Sequence, residues 1–86
     1  MNEIVWHNRA RKQIKKIPAQ YRQAIIDHVG KLEDFPENQG LDVKELKGHQ
    51  YGFRLRVGRY RVLFDHDGGI RIVMIQEVKK RDERTY

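Results

Sequence analysis

Four arginines crowd one short stretch of the chain. In YGFRLRVGRYRVLFDHDGG, residues 51–69, Arg54, Arg56, Arg59 and Arg61 are set among apolar side chains. A guanidinium group stays charged at any working pH, and its planar fork matches phosphate oxygens two at a time. Arginine is therefore a good clamp for an anion and a poor proton acceptor. The chain closes on EVKKRDERTY, residues 77–86, where Lys79, Lys80, Arg81 and Arg84 add cations and Tyr86 places an aromatic beside them. The other chemistry-bearing residues are less organised. His7, His28, His49 and His66 lack the paired spacing of a metal site, and no metal or cofactor is expected. Glu33, Asp34 and Glu37 read as solvated helix surface, with no catalytic carboxylate pair implied.

Composition agrees with an anionic partner. The 86 residues carry a formal charge of +6, from 18 Lys and Arg against 12 Asp and Glu. Residues 1–50 hold 9 basic and 7 acidic groups and residues 51–86 hold 9 and 5, so +4 of the +6 lies in the shorter segment. A basic domain meets a polyanion more often than not, and nucleic acid is the commonest one in a cytosol. The length predicts one domain, residues 1–86, with a small core. The absence of cysteine fits a reducing compartment. There is no signal-peptide pattern at the start and no apolar run of about 18 residues to span a bilayer, so a cytoplasmic protein with no membrane partner is expected.

The elements that position these residues follow from periodicity. EIVWH, Glu3 to His7, has the β-branched and aromatic content of a strand. Asn8 offers a helix N-cap, and Ala10, Ile14 and Ile17 form one apolar stripe of a helix that ends at Pro18. A second helix carries Tyr21, Ile25, Val29, Leu32 and Phe35 at three- and four-residue steps and closes at Pro36, giving an αα-hairpin. The segment after Pro36 reads as a connection with a turn of helix around Val43 to Leu46.

A type II′ turn at Gly58-Arg59 then fixes a β-hairpin: Val57 faces Tyr60, Leu55 faces Val62 and Phe53 faces Phe64. The same register sets Arg56 against Arg61 and Arg54 against Leu63 on the opposite face. Opposed like charges destabilise a sheet by up to about 1 kcal/mol, so an anion is expected between them. A last strand runs from Ile70 to Val78, after the turn signal Asp67-Gly68-Gly69. The fold class is thus α+β: an N-terminal strand, an αα-hairpin and an antiparallel meander forming a small twisted sheet.

This order, together with LKG (Leu46 to Gly48), YGFRLRVGRYRVLF and VKKRDERTY, resembles the RelE/ParE superfamily of toxin–antitoxin toxins over almost the whole chain. The resemblance implies a RelE-like fold and one of two activities. RelE-type members cut messenger RNA in the ribosomal A site, whereas ParE-type members poison DNA gyrase and usually lack the basic catalytic set. Resemblance to RelE proper places Arg61 at the catalytic strand arginine, Arg54 at a position commonly lysine, Arg81 at the arginine after the last strand and Tyr86 at the C-terminal tyrosine. Gly52 stands where RelE has a second lysine.

The implied chemistry is metal-free: the ribose 2′-hydroxyl attacks the neighbouring phosphorus, leaving a 2′,3′-cyclic phosphate and a free 5′-hydroxyl. Arg61 and Arg81 are then expected to clamp the transition state and Arg54 to stabilise charge. Tyr86 would stack on a base, orient the 2′-hydroxyl or transfer a proton. Lys79, Lys80, Glu77, Asp82, Glu83, His49 and His66 are its possible substitutes. Arg56, Arg59, Lys47, Lys79, Lys80 and Arg84 are expected to contact RNA. The implied partners are a cognate antitoxin and the ribosome with its mRNA. The competing readings are a ParE-type gyrase inhibitor and a catalytically weak nucleic-acid-binding module.

Overall fold

The hairpin that the arginine pattern predicts has the expected register. In a computed structural model, which describes residues 1–37 and 40–80, β3 (Phe53–Val57) and β4 (Tyr60–Asp67) pair Phe53 with Phe64, Leu55 with Val62 and Val57 with Tyr60. Gly58 has φ +57°, the left-handed value that the first central residue of a II′ turn requires. Around this hairpin the chain adds β1 (Glu3–Trp6), α1 (Asn8–Lys15), α2 (Ala19–Gly30), a 3₁₀ turn (Lys31–Asp34), β2 (Asp42–Glu45) and β5 (Ile72–Lys80). The sheet order is β1-β5-β4-β3-β2, with β1 parallel to β5 and every other pair antiparallel.

The helices cover one face of this sheet. Ala10, Ile14 and Ile17 from the first stripe and Ile25, Val29 and Leu32 from the second are buried with Leu55, Val57, Val62, Phe64, Val73, Ile75 and Val78. Phe35 packs on the edge of this core, whereas Tyr21 is exposed apart from its ring contact with Tyr60. Asn2 is a buried polar residue that the apolar pattern does not mark. Its side chain donates to the carbonyls of Leu32 and Phe35, at 3.0 and 2.7 Å, tying the start of β1 to the end of the 3₁₀ turn.

Four local expectations are corrected. The cap of α1 is His7, not Asn8: the His7 backbone N–H is held by the Ile75 carbonyl, and its Nδ1 accepts from Arg9 N at 3.0 Å. The extended geometry that pairs His7 with β5 thus also makes it the cap. The second helix does not run to Phe35 but tightens into the 3₁₀ turn after Gly30. Residues 42–45 form an edge strand rather than a helical turn, because pairing with β3 outweighs the weak local preference of Asp-Val-Lys-Glu. β5 begins at Ile72 and extends to Lys80, since Ile70 is exposed in the turn and Arg71 sits at φ +57°.

Gly30 is helical, with φ −58° and ψ −32°, and an added Cβ meets nothing within 4 Å. No positive φ or close approach demands glycine there. Gly30→Ala is therefore expected to stabilise the fold by about 0.5–1 kcal/mol. Thermal unfolding should record this as a melting temperature raised by a few degrees.

Candidate functional site

The face of the sheet opposite the helices carries the charges. Register lines them up in two rows. Asp42, Arg56, Arg61 and Lys79 run across β2, β3, β4 and β5, and Lys44, Arg54, Leu63 and Glu77 form the row beside them. Arg54, Arg56, Arg61 and Lys79 are thereby brought to one surface. Arg59 is exposed at the tip of the β3–β4 turn and Lys47 in the loop between β2 and β3. Lys80 registers with Tyr60, which belongs to the helix-side core, so alternation sends it away from Lys79. Arg81, Arg84 and Tyr86 lie outside the described residues.

Two of these arginines, Arg54 and Arg56, have an internal counter-ion. Asp42, supplied by the edge strand β2, accepts from Arg54 Nη2 at 3.1 Å and lies 3.7 Å from Arg56 Nε. Arg54 is only 6% exposed, so its charge leans on this carboxylate. This carboxylate stands at the β2 end of the arginine row, beyond Arg56, and not between Arg56 and Arg61. A phosphate arriving at Arg54 and Arg56 must share them with Asp42 or replace it.

Asp42→Ala is accordingly expected to act in two directions. Leaving the buried Arg54 without its carboxylate should lower stability by about 1–2 kcal/mol, a figure kept small because Asp42 itself is half exposed. Freeing two guanidinium groups should at the same time tighten binding to a polyanion such as RNA or heparin and steepen its salt dependence. Thermal unfolding and a salt-titrated binding assay check the two signs separately.

β5 adds a second charged group by an irregularity. Leu63 pairs with Glu77 but Phe64 with Ile75, which leaves Gln76 as a bulge. The bulge brings Gln76 and Glu77 to the same open face. Gln76 donates to Asp65 Oδ2 at 3.0 Å, and Asp65 Oδ1 accepts from Gly52 N at 2.8 Å. Glu77 is met from the edge of the sheet by α1, since β1 stops at Trp6 and Gln13 Oε1 instead accepts from Val78 N at 2.7 Å.

Around the Glu77 carboxylate stand Gln13 Nε2 at 3.5 Å, Lys79 Nζ at 3.7 Å and Arg9 Nη1 at 4.0 Å. The Tyr51 hydroxyl completes the group: it bonds to Glu77 and accepts from Arg9. Tyr51 precedes β3 whereas Glu77 lies on β5, so the ring spans the width of β4. Burial, with the Glu77 charge second, holds the Tyr51 phenol above its ordinary ionisation range. It remains a hydrogen-bond donor at neutral pH. Sequence reasoning missed Arg9, Gln13 and Tyr51 as neighbours of this face, although Tyr51 opens the very stretch that holds the arginines.

Among the described residues no helix is long and apolar enough to cross a membrane, and no three His, Asp or Glu side chains gather as a metal site would need.

Comparison with known proteins gives this arrangement its context. The family model described as ParE toxin of type II toxin–antitoxin system, parDE, matches residues 4–85. RelE1 of Methanocaldococcus jannaschii is 27% identical over 77 residues, which cover 88% of this chain and 86% of that protein. A chain in the crystal structure of the archaeal RelE–RelB complex from Pyrococcus horikoshii OT3 superposes with a TM-score of 0.80 at 23% identity, covering 98% of each chain. One from the Mycobacterium tuberculosis toxin–antitoxin complex RelBE2 does so with 0.77 at 25% identity, over 93% of this chain and 98% of that one. Strand, helical pair and meander thus have their counterpart in a known group, and the chain belongs to the ParE toxin family of type II toxin–antitoxin systems.

Proposed function

We propose that this toxin is a ribosome-dependent endoribonuclease that cleaves mRNA in the A site and so inhibits translation. The observation that carries the reading is the convergence of Arg54, Arg56, Arg61 and Lys79 on one sheet face. Three guanidinium groups and an ammonium within two neighbouring rows suit a phosphodiester whose charge grows as a phosphorane forms. In this reading Arg61 clamps the transition state and Arg54 stabilises its charge after exchanging Asp42 for phosphate. Arg81 and Tyr86 keep the clamping and the stacking or proton-transfer roles that the family resemblance gives them. Arg56, Arg59, Lys47, Lys79 and Arg84 hold the flanking RNA, whereas Lys80, on the other side of the strand, does not share their face. The unit is one domain, residues 1–86, acting in the cytoplasm.

The partner that restrains it is a cognate antitoxin. RelE relatives occur in complexes with RelB, and an antitoxin covering this face of the present chain would be acidic there. Because a partner that binds only the folded state stabilises it by mass action, antitoxin or a polyanion should raise the melting temperature. No rise with either would remove the anionic-ligand reading of the face.

A second reading, inhibition of DNA gyrase, is favoured by one observation: the matching family model is named for ParE. Primer extension on translated mRNA separates the two. Discrete codon-dependent cuts support the nuclease; intact mRNA with altered plasmid supercoiling and an SOS response supports gyrase.

A further inference from the structure

Cleavage by 2′-hydroxyl attack needs a proton acceptor, and the arginines of the open face are unsuited to that task. Gly52 brings no side chain to it. Register brings five carboxylates to the face among the described residues; Glu3 and Asp67 lie at its far end, where both pair with Ile72, which leaves Asp42, Asp65 and Glu77 near the arginines. Asp42 is directed to Arg54 and Arg56 at 3.1 and 3.7 Å, on the far side of β4 from Lys79. Asp65 has both oxygens engaged in short bonds, to Gly52 N at 2.8 Å and Gln76 Nε2 at 3.0 Å.

Glu77 differs from both. Its row is adjacent to that of Arg61 and Lys79, and its side chain is 15% exposed. Its contacts with Gln13, Lys79 and Arg9, at 3.5, 3.7 and 4.0 Å, are all longer than the roughly 2.7–2.9 Å of a strong charge-assisted hydrogen bond. Apart from the Tyr51 hydroxyl, the carboxylate is therefore held only by long contacts. Tyr51 fixes its orientation by donating to it, and a phenol that stays protonated does not compete for the substrate's proton. The charged and titratable groups facing it are Arg9 from α1, Tyr51 from the loop before β3 and Lys79 from β5, with Arg61 of β4 in the adjacent row. Their positive charges offset the repulsion between a carboxylate and an incoming phosphodiester.

We infer that Glu77 is the proton acceptor of the cleavage site, held in position by Tyr51 and Gln13. The inference rests on the nuclease reading. As O2′ bonds to phosphorus, its proton passes to the Glu77 carboxylate. The P–O5′ bond breaks, O5′ takes a proton from water, and Glu77 returns its proton to solvent. The products are a 2′,3′-cyclic phosphate and a 5′-hydroxyl, with no oxidant, reductant or cofactor consumed.

The test is single-turnover cleavage of ribosome-bound mRNA, read by primer extension, beside binding to ribosomes carrying mRNA with a 2′-O-methyl group at the cleaved nucleotide. Glu77→Gln keeps the shape and loses the proton-accepting charge. It should cut about 10²-fold more slowly with unchanged binding and melting temperature. Glu77→Asp, a carboxylate of shorter reach, should recover part of the rate. Tyr51→Phe should cost about tenfold, as expected of a positioning group.

Wild-type-like cutting by Glu77→Gln, or a loss of rate matched by an equal loss of binding or of melting temperature, overturns the inference while leaving the nuclease reading intact. Intact mRNA with the wild-type protein overturns both.

Discussion

Arg61→Ala is expected to reduce mRNA cleavage by about 10²–10³-fold, equivalent to roughly 3–4 kcal/mol of transition-state stabilisation, without unfolding the protein. The size follows from removing a fixed, charged hydrogen-bond donor from a site where negative charge develops. The sparing of the fold follows from register: Arg61 stands directly across from Arg56, and removing one of two opposed like charges relieves up to about 1 kcal/mol of repulsion. Cleavage should therefore be lost with the fold retained, an outcome that a misfolded variant cannot give.

Arg61→Lys sharpens the test. An ammonium preserves the charge but not the two-point fork, so cleavage should fall to an intermediate level. Cells expressing wild type and Arg61→Ala are the cheapest measurement. Equal growth inhibition by both would remove Arg61 from the site, and with it the arrangement built around it.

Short-range physics makes part of this fold legible in the sequence. A glycine at the turn and strict alternation on either side leave one register for β3 and β4, and hence the opposition of Arg56 to Arg61. The apolar stripes of the two helices were legible for the same reason, since Ala10, Ile14, Ile17, Ile25, Val29 and Leu32 repeat at helical spacing. What escaped was decided by partners distant in the chain. β2 has a single apolar residue, Val43, and becomes a strand because β3 offers its edge. Asp42 was thus invisible as the counter-ion of Arg54 and Arg56.

The bulge at Gln76 has no local signature either, and it is what brings Gln76 and Glu77 together on the open face. Tyr51 reaches an arginine 42 residues away in sequence, a contact that no periodicity encodes. Its one available signal was its place, a large aromatic just before Gly52 at the head of an arginine-bearing strand.

Phe64→Ala should lower stability by about 3–5 kcal/mol, the largest effect expected from any single truncation in this core. Phe64 is fully buried in β4, stacked on Phe53 at 5.3 Å and met edge-on by Phe35 at 5.4 Å, while Phe35 in turn meets Phe53 and His66, each at 5.1 Å. Truncation leaves a cavity and also strips the aromatic contacts that fasten the segment after the 3₁₀ turn to the sheet. A domain of this length has a total stability of only about 5–10 kcal/mol, so the truncation removes a third or more of it and the variant should melt far below wild type. The same residue adjoins the bulge, because Phe64 pairs with Ile75 where Leu63 pairs with Glu77.

Loss of Phe64 should consequently reduce toxicity too, but by a different route from Arg61→Ala. Lowering the temperature, or adding an anionic ligand that binds only the folded state, should restore Phe64→Ala toward the native signal in circular dichroism. Neither treatment should restore cleavage to Arg61→Ala, which is folded already. A Phe64→Ala protein that melts within a few degrees of wild type would mean that the aromatic cluster does not hold the sheet against the 3₁₀ turn.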